Sequence, residues 1–415
     1  MSKKIDPRLP REAGQGVLPD HAAIKSPWDK LLSYHDTARY ACRYGAVFGA
    51  AAMQAYRIMI PDYEERSKAM CKNAYNRLYF LMHLPMVPEM QIASINAHPF
   101  FRGNYLGGLI GDKGDEELMM CGRVNDFGTY RCEKELDHCD WDIIGSELCR
   151  ATTQSLQASA DSCSEKFLPG PMLEYHMVEA KGCGDRHCRI VAENRDKYPM
   201  PSHEQWECFG PVATADQIRF TPEDECISES MIFREECNYT FNNGTCTEEG
   251  PESAYPMVSQ ANGSAYIFPT IEDHIKAGEL DEKFADHVLK CVFEASGKAL
   301  YGEKYAIEAF RNWVGAPRSI SDDDGRLAGA HIEMYLQSIR VPYEIEAFNK
   351  DEVIYVIDRN TLANGMPRTI LCYVSYWYGM TKTLVNAQWS LWEEANDTPA
   401  DKLRIKIAKK VDKFC

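Results

Sequence analysis

Strand-like alternation on both sides of one glycine-containing turn constrains the fold of this 415-residue chain more than any other pattern. The apolar residues Leu173, Tyr175 and Met177 alternate with Glu174 and His176, as expected for a β-strand with one buried face. The segment KGCGDR supplies turn-forming residues, and the alternation resumes from Cys188 to Ala192. The sequence therefore predicts an antiparallel hairpin around Gly182–Cys188.

A helix precedes this hairpin, and the same order recurs later in the chain. Apolar spacing predicts a helix over residues 140–162, followed by the hairpin of residues 172–194. It predicts another helix over residues 326–339, followed by a hairpin over residues 342–358 that turns at Asn349-Lys350-Asp351. The predicted class is α+β, with two helix-plus-antiparallel-hairpin units whose repeated order is compatible with duplication.

The composition of successive segments predicts four regions. They are an extended arm (1–30), an N-terminal α+β domain (31–198) that begins with the helical region Ser33–Leu84, an irregular insertion or lid with several cysteines (199–265), and a C-terminal α+β domain (266–415). Within the last region, Glu282–Val314 is predicted to be helical. Residues 369–395 are predicted to form a strand or buried helix and then an amphipathic helix, and the basic segment Lys402–Lys413 a solvated helix.

Charge and apolar content limit the partners and the compartment. The formal net charge of −16 argues against a nucleic acid or an anionic membrane as partner, because both require clustered Lys and Arg. No apolar run follows the first lysines, so the pattern of a signal peptide is not expected there. The most apolar windows, Ala46–Ala52 and Ile370–Tyr378, are too short to span a bilayer. We therefore expect a cytoplasmic protein whose 16 cysteines are reduced thiols, a content that suits anaerobic metabolism.

The turn GCGDRHC holds the strongest concentration of reactive side chains. It brings Cys183, Asp185, His187 and Cys188 close together in sequence, and the first strand adds Glu174 and His176. A histidine beside a cysteine can lower the thiol pKa or act as a general base. In the resulting catalytic hypothesis, Cys183 or Cys188 is nucleophile or acid, His187 or His176 is the base, and Asp185 is the orienting carboxylate.

Two other interpretations of these residues remain open. Glycine and aspartate are ordinary turn residues and cysteine is commonly buried, so the turn can be purely structural. A metal site is the second alternative, with ligands drawn from Cys121, Cys132, His138, Cys139 and Cys149. The Cys-x4-Cys spacing of the turn is loose for a structural zinc site, so no metal and no cofactor is predicted.

Four residues outside the turn are candidates for substrate binding. Glu147 lies in the predicted helix before the hairpin and could face it, while an acid near a helix start also complements the helix dipole. Tyr376 and Trp377, near Asn386, belong to an aromatic stretch that could wall a pocket for a small planar ligand. An aromatic stretch of this kind more often packs in the hydrophobic core than lines a ligand pocket.

The stretch from DWDIIGSELC through MLEYHMVEAKGCGDRHCRIVAE, roughly residues 140–195, resembles the L-2-amino-thiazoline-4-carboxylic acid hydrolase-like family. Members of that family carry a helix, a strand and a Gly-Asp-x-x-Cys turn leading into a return strand, here Gly184–Cys188. The pattern is also similar to α+β ligand-binding domains named after 4-vinyl reductase. The resemblance implies hydrolysis of a C–N bond in a small cyclic compound.

Three functional hypotheses follow. The first is a hydrolase that opens a C–N bond in a cyclic amidine, lactam or heterocycle with the side chains of the turn. The second is a non-catalytic small-molecule-binding or accessory subunit, and the third is a metal-dependent enzyme. The expected partner is a small-molecule substrate, and the apolar surface of two aromatic-rich halves is compatible with a homodimer.

Overall fold

Helices and antiparallel sheets make up the described part of this chain, which confirms the α+β class. The computed structural model describes residues 3–5, 25–32, 34–81, 123–126, 131–137, 139–166, 174–193, 264–339, 341–363, 365–396 and 398–410. Most of the predicted insertion at 199–265 therefore lies outside the described residues, as does most of the predicted arm at 1–30. Across the described ranges, no helix has an apolar stretch long enough to cross a lipid bilayer.

The chain divides into two compact units. The terminal unit combines Met1–Tyr44 with Gly278–Cys415, and the central unit is the continuous segment Gly45–Ala277. The boundary between residues 44 and 45 falls within the first long helix.

In the first two-thirds of the chain, the predicted helical region, the predicted helix before the hairpin and the hairpin itself are present, whereas the strands at residues 3–5, 123–126 and 131–136 and the helix at residues 264–276 were not predicted. The bounds of all these elements are β1 Lys3–Ile5, α1 Tyr34–Met59, α2 Tyr63–Leu81, β2 Arg123–Asp126, β3 Arg131–Leu136, α3 Ser146–Lys166, β4 Glu174–Glu179, β5 Cys188–Glu193 and α4 Ser264–Lys276. A short 3₁₀ helix, Asp140–Ile143, precedes α3, and another, Lys181–Cys183, joins β4 to β5. The break between α1 and α2 falls at Pro61, and Asp62 caps α2 by accepting a hydrogen bond from the backbone N–H of Glu65 (2.8 Å).

The central unit has a four-stranded antiparallel sheet in the order β2-β3-β5-β4. Helix α3 packs against both α2 and β4, and so lies against one face of this sheet. Helix α4 packs on α2, where Asn73 Nδ2 donates to Asp273 Oδ2 at 2.9 Å. The hairpin predicted around Gly182–Cys188 is confirmed, and it forms one edge of the sheet.

The terminal unit contains the remaining elements. They are α5 Glu282–Leu300, α6 Lys304–Val314, α7 Arg326–Ser338, β6 Tyr343–Phe348, β7 Glu352–Asp358, α8 Arg359–Ala363, α9 Arg368–Leu384, β8 Trp389–Glu393 and β9 Lys402–Lys409. The sheet order is β1-β6-β7-β9-β8, antiparallel throughout. The predicted helix at 326–339 and the hairpin at 342–358 are confirmed, and the predicted helical stretch Glu282–Val314 is two helices broken at residues 301–303.

Glycines allow α5 and α9 to pack with their backbones in close contact. A Cβ built on Gly297 would lie 2.0 Å from the carbonyl oxygen of Tyr376, and one built on Gly379 would lie 2.1 Å from that of Glu294. Real Cβ atoms do not approach carbonyl oxygens so closely, so any larger residue at either position would push the helices apart.

Two sequence-based predictions in the terminal unit are wrong. The second half of residues 369–395 contains β8 rather than an amphipathic helix, although the buried helix predicted before it is present as α9. Of the segment predicted as a basic helix at Lys402–Lys413, residues 402–409 form β9. Its Leu403, Ile405 and Ile407 are buried on one face, with the two-residue spacing of a strand, and β9 pairs with β7 on one side and with β8 on the other.

The two sheets share one connection pattern. In the central unit the pair β2–β3 is followed by α3 and then by the pair β4–β5, with β3 and β5 adjacent. In the terminal unit the pair β6–β7 is followed by α8 and α9 and then by the pair β8–β9, with β7 and β9 adjacent. The helix-then-hairpin order predicted at residues 140–194 and at residues 326–358 is present, but in this shared pattern β6–β7 corresponds to β2–β3, and β8–β9 corresponds to β4–β5. Duplication stays a prediction.

Candidate functional site

The hairpin turn between β4 and β5 is closed by hydrogen bonds between Asp185 and the backbone of Ala180. Asp185 Oδ2 accepts a hydrogen bond from the backbone N–H of Ala180 (2.8 Å), and the Asp185 N–H donates to the Ala180 carbonyl (3.2 Å). Gly184 has a φ of 98°, a left-handed conformation that favours glycine. The exposed Asp185 therefore stabilises the turn through the backbone of Ala180.

The sheet separates Cys188 from His176. In β5, Cys188 lies opposite Leu136 of β3, and its side chain is on the same face as the buried Ile190. His176 of β4 lies opposite Val191 of β5, an odd number of residues from Cys188. Because strand side chains alternate between faces, Cys188 and His176 point to opposite sides of the sheet. Both are buried, and Glu174 begins β4 opposite Glu193.

Charged residues on the His176 side form a connected group that we call the charged face: Glu133, Glu179, His187 and Arg189. His187 Nε2 lies 3.0 Å from Glu179 Oε2, and the same carboxylate oxygen accepts from Arg189 Nε at 3.0 Å. Arg189 Nη1 also lies 3.8 Å from Glu133 Oε2. The carboxylate that contacts His187 is therefore Glu179, whereas the predicted orienting carboxylate, Asp185, contacts the turn backbone.

The pair of His187 and Glu179 is open enough to meet a ligand. Their side chains are 32% and 38% exposed, while Glu133, which Arg189 reaches, is buried. A carboxylate that binds one ring nitrogen of a histidine fixes the orientation of the ring and leaves the other nitrogen for acid–base chemistry.

On the opposite side of the sheet, four cysteines form what we call the thiol cluster: Cys139, Cys149, Cys183 and Cys188. The Cys139 thiol donates a hydrogen bond to Cys188, and with the N–H of Lys181 (3.3 Å from Sγ) it holds the pKa of Cys188 below its ordinary value despite burial. The same hydrogen bond, together with burial, raises the pKa of Cys139, and burial raises the pKa of Cys149. Cys183, in the 3₁₀ helix of the turn, is half-buried.

Glu147, a predicted substrate-binding residue, forms a buried ion-pair network. It lies in the first turn of α3 and is 2% exposed, and Arg57 of α1 reaches both of its oxygens, at 3.1 Å from Nε and 2.8 Å from Nη2. Arg66 of α2 adds a contact of 3.0 Å. Burial alone would raise the pKa of Glu147, but the hydrogen bonds from Arg57, the backbone and Arg66 hold it below its ordinary value. This geometry joins three helices.

The other predicted substrate-binding residues belong to the terminal unit. Tyr376 and Trp377 are fully buried in α9, and Trp377 Nε1 donates to the hydroxyl of Tyr44 at 2.8 Å. Burial raises the pKa of Tyr376. The half-buried Asn386 donates to the carbonyl of Asp322 (2.9 Å) and to Asp323 Oδ1 (3.1 Å). The first two residues are packed in the core, and Asn386 joins two loops.

Sequence reasoning missed a buried histidine of the terminal unit. His331 of α7 is 1% exposed, and its Nδ1 lies 2.9 Å from the Tyr301 hydroxyl and 3.2 Å from the Tyr40 hydroxyl. Its Nε2 has no hydrogen-bond partner among the described residues, and burial lowers its pKa to about 3. The only sequence signal for the buried His331 was a polar residue within the apolar spacing of α7. Glu179 was missed because its partner became evident only once the two strands were paired.

Comparison of the chain with protein-family models, with curated proteins and with solved structures finds no match. Within the described ranges, no group of three or more His, Cys, Asp or Glu side chains is arranged to hold a metal ion. The predicted metal alternative involves Cys121 and His138, which lie outside those ranges, and Cys132, whose side chain is also not described.

Proposed function

We propose that this chain is a hydrolase that opens a C–N bond in a small cyclic amidine, lactam or heterocycle, and that the reaction takes place at the charged face. The observation that carries the proposal is the contact between His187 Nε2 and Glu179 Oε2 at 3.0 Å, in a pair that solvent reaches. The resemblance of residues 140–195 to a family of ring-opening hydrolases supports the reaction class. The position of Cys188 on the other side of the sheet makes water a better nucleophile for this histidine than that thiol.

In the proposed reaction, Glu179 holds the N–H of His187 Nε2, so the lone pair at Nδ1 can accept a proton from water. The hydroxide formed in this step adds to the ring carbon that is bonded to nitrogen. As the C–N bond breaks, the imidazolium returns the proton from Nδ1 to the departing nitrogen. One water is consumed: its oxygen and one hydrogen end on carbon, and its other hydrogen ends on nitrogen.

Arg189 has a positioning role in this proposal. Its guanidinium shares Glu179 with His187 and also approaches Glu133, which keeps the Glu179 carboxylate in place.

The test is ring opening of five- and six-membered cyclic amidines and lactams, followed by mass spectrometry of the hydrated product. We expect the wild-type chain to convert at least one compound class and His187→Gln to lower kcat/KM by about 100-fold or more. Glu179→Gln should lower kcat/KM, because a neutral amide holds the His187 N–H less firmly than a carboxylate does. The matched control is His287→Gln, an exposed histidine of α5, which should keep wild-type activity.

Two results would contradict the proposal. One is wild-type kcat/KM in a folded His187→Gln variant. The other is tight binding of these compounds with no hydrated product, which would instead favour the non-catalytic binding function.

A further inference from the structure

The thiol cluster joins three separate segments of the central unit. Cys139 precedes the 3₁₀ helix Asp140–Ile143, Cys149 lies in α3, and Cys183 and Cys188 lie on the two sides of the hairpin turn. A Cβ built on Gly182 would lie 2.6 Å from Cys149 Sγ, so a residue without a side chain is needed for that sulfur to approach the turn.

Within this cluster, the thiol of Cys139 is hydrogen-bonded to the sulfur of Cys188. The strand register explains their proximity, because Leu136 of β3 lies opposite Cys188 and the chain reaches Cys139 three residues later. The Cys139 thiol is the donor and Cys188 Sγ the acceptor, and the Lys181 N–H donates to the same sulfur at 3.3 Å. Both cysteines are free thiols in this structure, Cys139 half-buried and Cys188 buried.

We propose that Cys139 and Cys188 are an oxidation site: they form a reversible disulfide when the protein meets a small hydroperoxide. Cys188 attacks the peroxide oxygen as a thiolate, which forms the S–O bond of a sulfenic acid and breaks the O–O bond, releasing hydroxide or an alkoxide. The Cys139 sulfur then attacks the sulfenic sulfur, the S–S bond forms, and the hydroxyl group leaves as water with the Cys139 proton. For hydrogen peroxide the sum is two thiols plus one peroxide giving one disulfide and two waters.

The assignment of roles follows from the surroundings of each sulfur. Cys188 accepts two hydrogen bonds and lies near the positive charge of Lys181, which favours its thiolate, whereas burial holds Cys149 in the thiol form. Cys139 already donates its proton to Cys188, so it is placed to resolve the sulfenic acid. The site is independent of the proposed hydrolysis, because it lies on the other face of the sheet from His176 and Val191.

Peptide mapping of the full-length chain tests this proposal. The reduced protein is treated with stoichiometric hydrogen peroxide, unreacted thiols are blocked with N-ethylmaleimide, and the digest is analysed by mass spectrometry. We expect a cross-linked pair of peptides that contain Cys139 and Cys188, with a mass loss of two hydrogens, and we expect dithiothreitol to restore both thiols. Cys139→Ser should abolish the link and leave a sulfenic acid at Cys188 that dimedone traps, while Cys291→Ser, at an exposed cysteine of α5, should leave the link unchanged.

The wild-type map decides the question even if a variant fails to fold. Complete labelling of both Cys139 and Cys188 by N-ethylmaleimide after peroxide treatment would overturn the proposal. A link from Cys188 to any other cysteine, including Cys149 or Cys183, would overturn it as well.

Discussion

Arg57 Nη2 lies 2.8 Å from Glu147 Oε2, and this contact ties the end of α1 to the start of α3. Arg57 Nη2 also donates to the carbonyl oxygen of Ile144 (3.1 Å), so one guanidinium holds both the side chain and the chain segment that leads into the helix. With Arg66 on the other carboxylate oxygen, the buried Glu147 is the shared counter-ion of two guanidiniums. The contacts assign Glu147 a structural role in the central unit.

Replacing Glu147 by Gln should therefore destabilise the central unit strongly. Removal of the negative charge leaves Arg57 and Arg66 without their buried counter-ion, a change that typically costs about 3–5 kcal/mol. Hydrogen exchange of α3 peptides across a urea series would measure this loss. Glu294→Gln is the matched control, because Glu294 pairs with Lys298 on the surface of α5 and such pairs contribute about 0–1 kcal/mol. Equal exchange protection in the two variants would contradict the structural role of Glu147.

The buried His331 makes the terminal unit sensitive to acid. Its folded-state pKa of about 3 lies below the ordinary value of 6.5, so the unfolded chain binds a proton that the folded chain does not. The stabilisation that comes from keeping the imidazole neutral is complete above pH 6.5 and is lost as the pH falls towards 3. The maximum slope is about 1.4 kcal/mol per pH unit for one group.

Urea midpoints of the terminal unit measured between pH 7 and pH 4 would check this prediction. His331→Gln can still bond to the hydroxyl of Tyr301 but does not titrate, so we expect its midpoint to depend less on pH than that of the wild-type chain. Identical pH dependence in the two chains would show that other groups account for the acid sensitivity.

Gly379→Ala should separate α5 from α9. The added methyl would lie 2.1 Å from the carbonyl oxygen of Glu294, and forcing atoms into a packed interface typically costs about 1–3 kcal/mol. A lower midpoint of thermal unfolding, monitored by circular dichroism, is the expected result. Gly302→Ala is the control, since the nearest atom to its Cβ would be 3.3 Å away. A midpoint for Gly379→Ala no lower than that of the control would argue against this close helix crossing.

Asp185 should affect stability rather than chemistry. Asp185→Ala leaves the Ala180 N–H without its acceptor and should cost about 1 kcal/mol, while Asp185→Asn keeps an acceptor oxygen and should cost less. Turnover per folded molecule should stay within about twofold of wild type in both variants, because a residue outside the reacting group supplies no transition-state stabilisation. Loss of turnover in folded Asp185→Asn would restore the carboxylate role that the sequence suggested.

The sequence predicts local structure well wherever the apolar period is unambiguous. Both hairpins and the helix at residues 326–339 follow from spacing and turn residues alone. Residues 402–409 were mispredicted because their lysines suggested a solvated helix, although Leu403, Ile405 and Ile407 have the period of a strand. Charged residues of β9 form ion pairs with residues of neighbouring strands. For example, Lys406 Nζ lies 2.9 Å from Glu352 Oε2 of β7.

The candidate site was harder to predict because it depends on pairing between strands. Proximity in sequence suggested that His187 and Cys188 act together, yet the register places Cys188 with the thiol cluster while His187 contacts Glu179. The partners of Glu147 lie in α1 and α2, and no local pattern connects them to α3. Composition identified the turn as unusual but could not assign its residues to faces of the sheet.

The position of β9 between β7 and β8 has a consequence for the order in which this chain acquires its structure. The central unit is one continuous segment, so all of its strands and helices are available once residue 277 has left the ribosome. The terminal unit must wait for residues 402–409, because without β9 the strand β8 has no neighbour and β7 has an open edge. During translation the central unit can therefore fold before the sheet of the terminal unit is complete, and in that interval β7 has an unpaired strand edge of the kind that promotes aggregation.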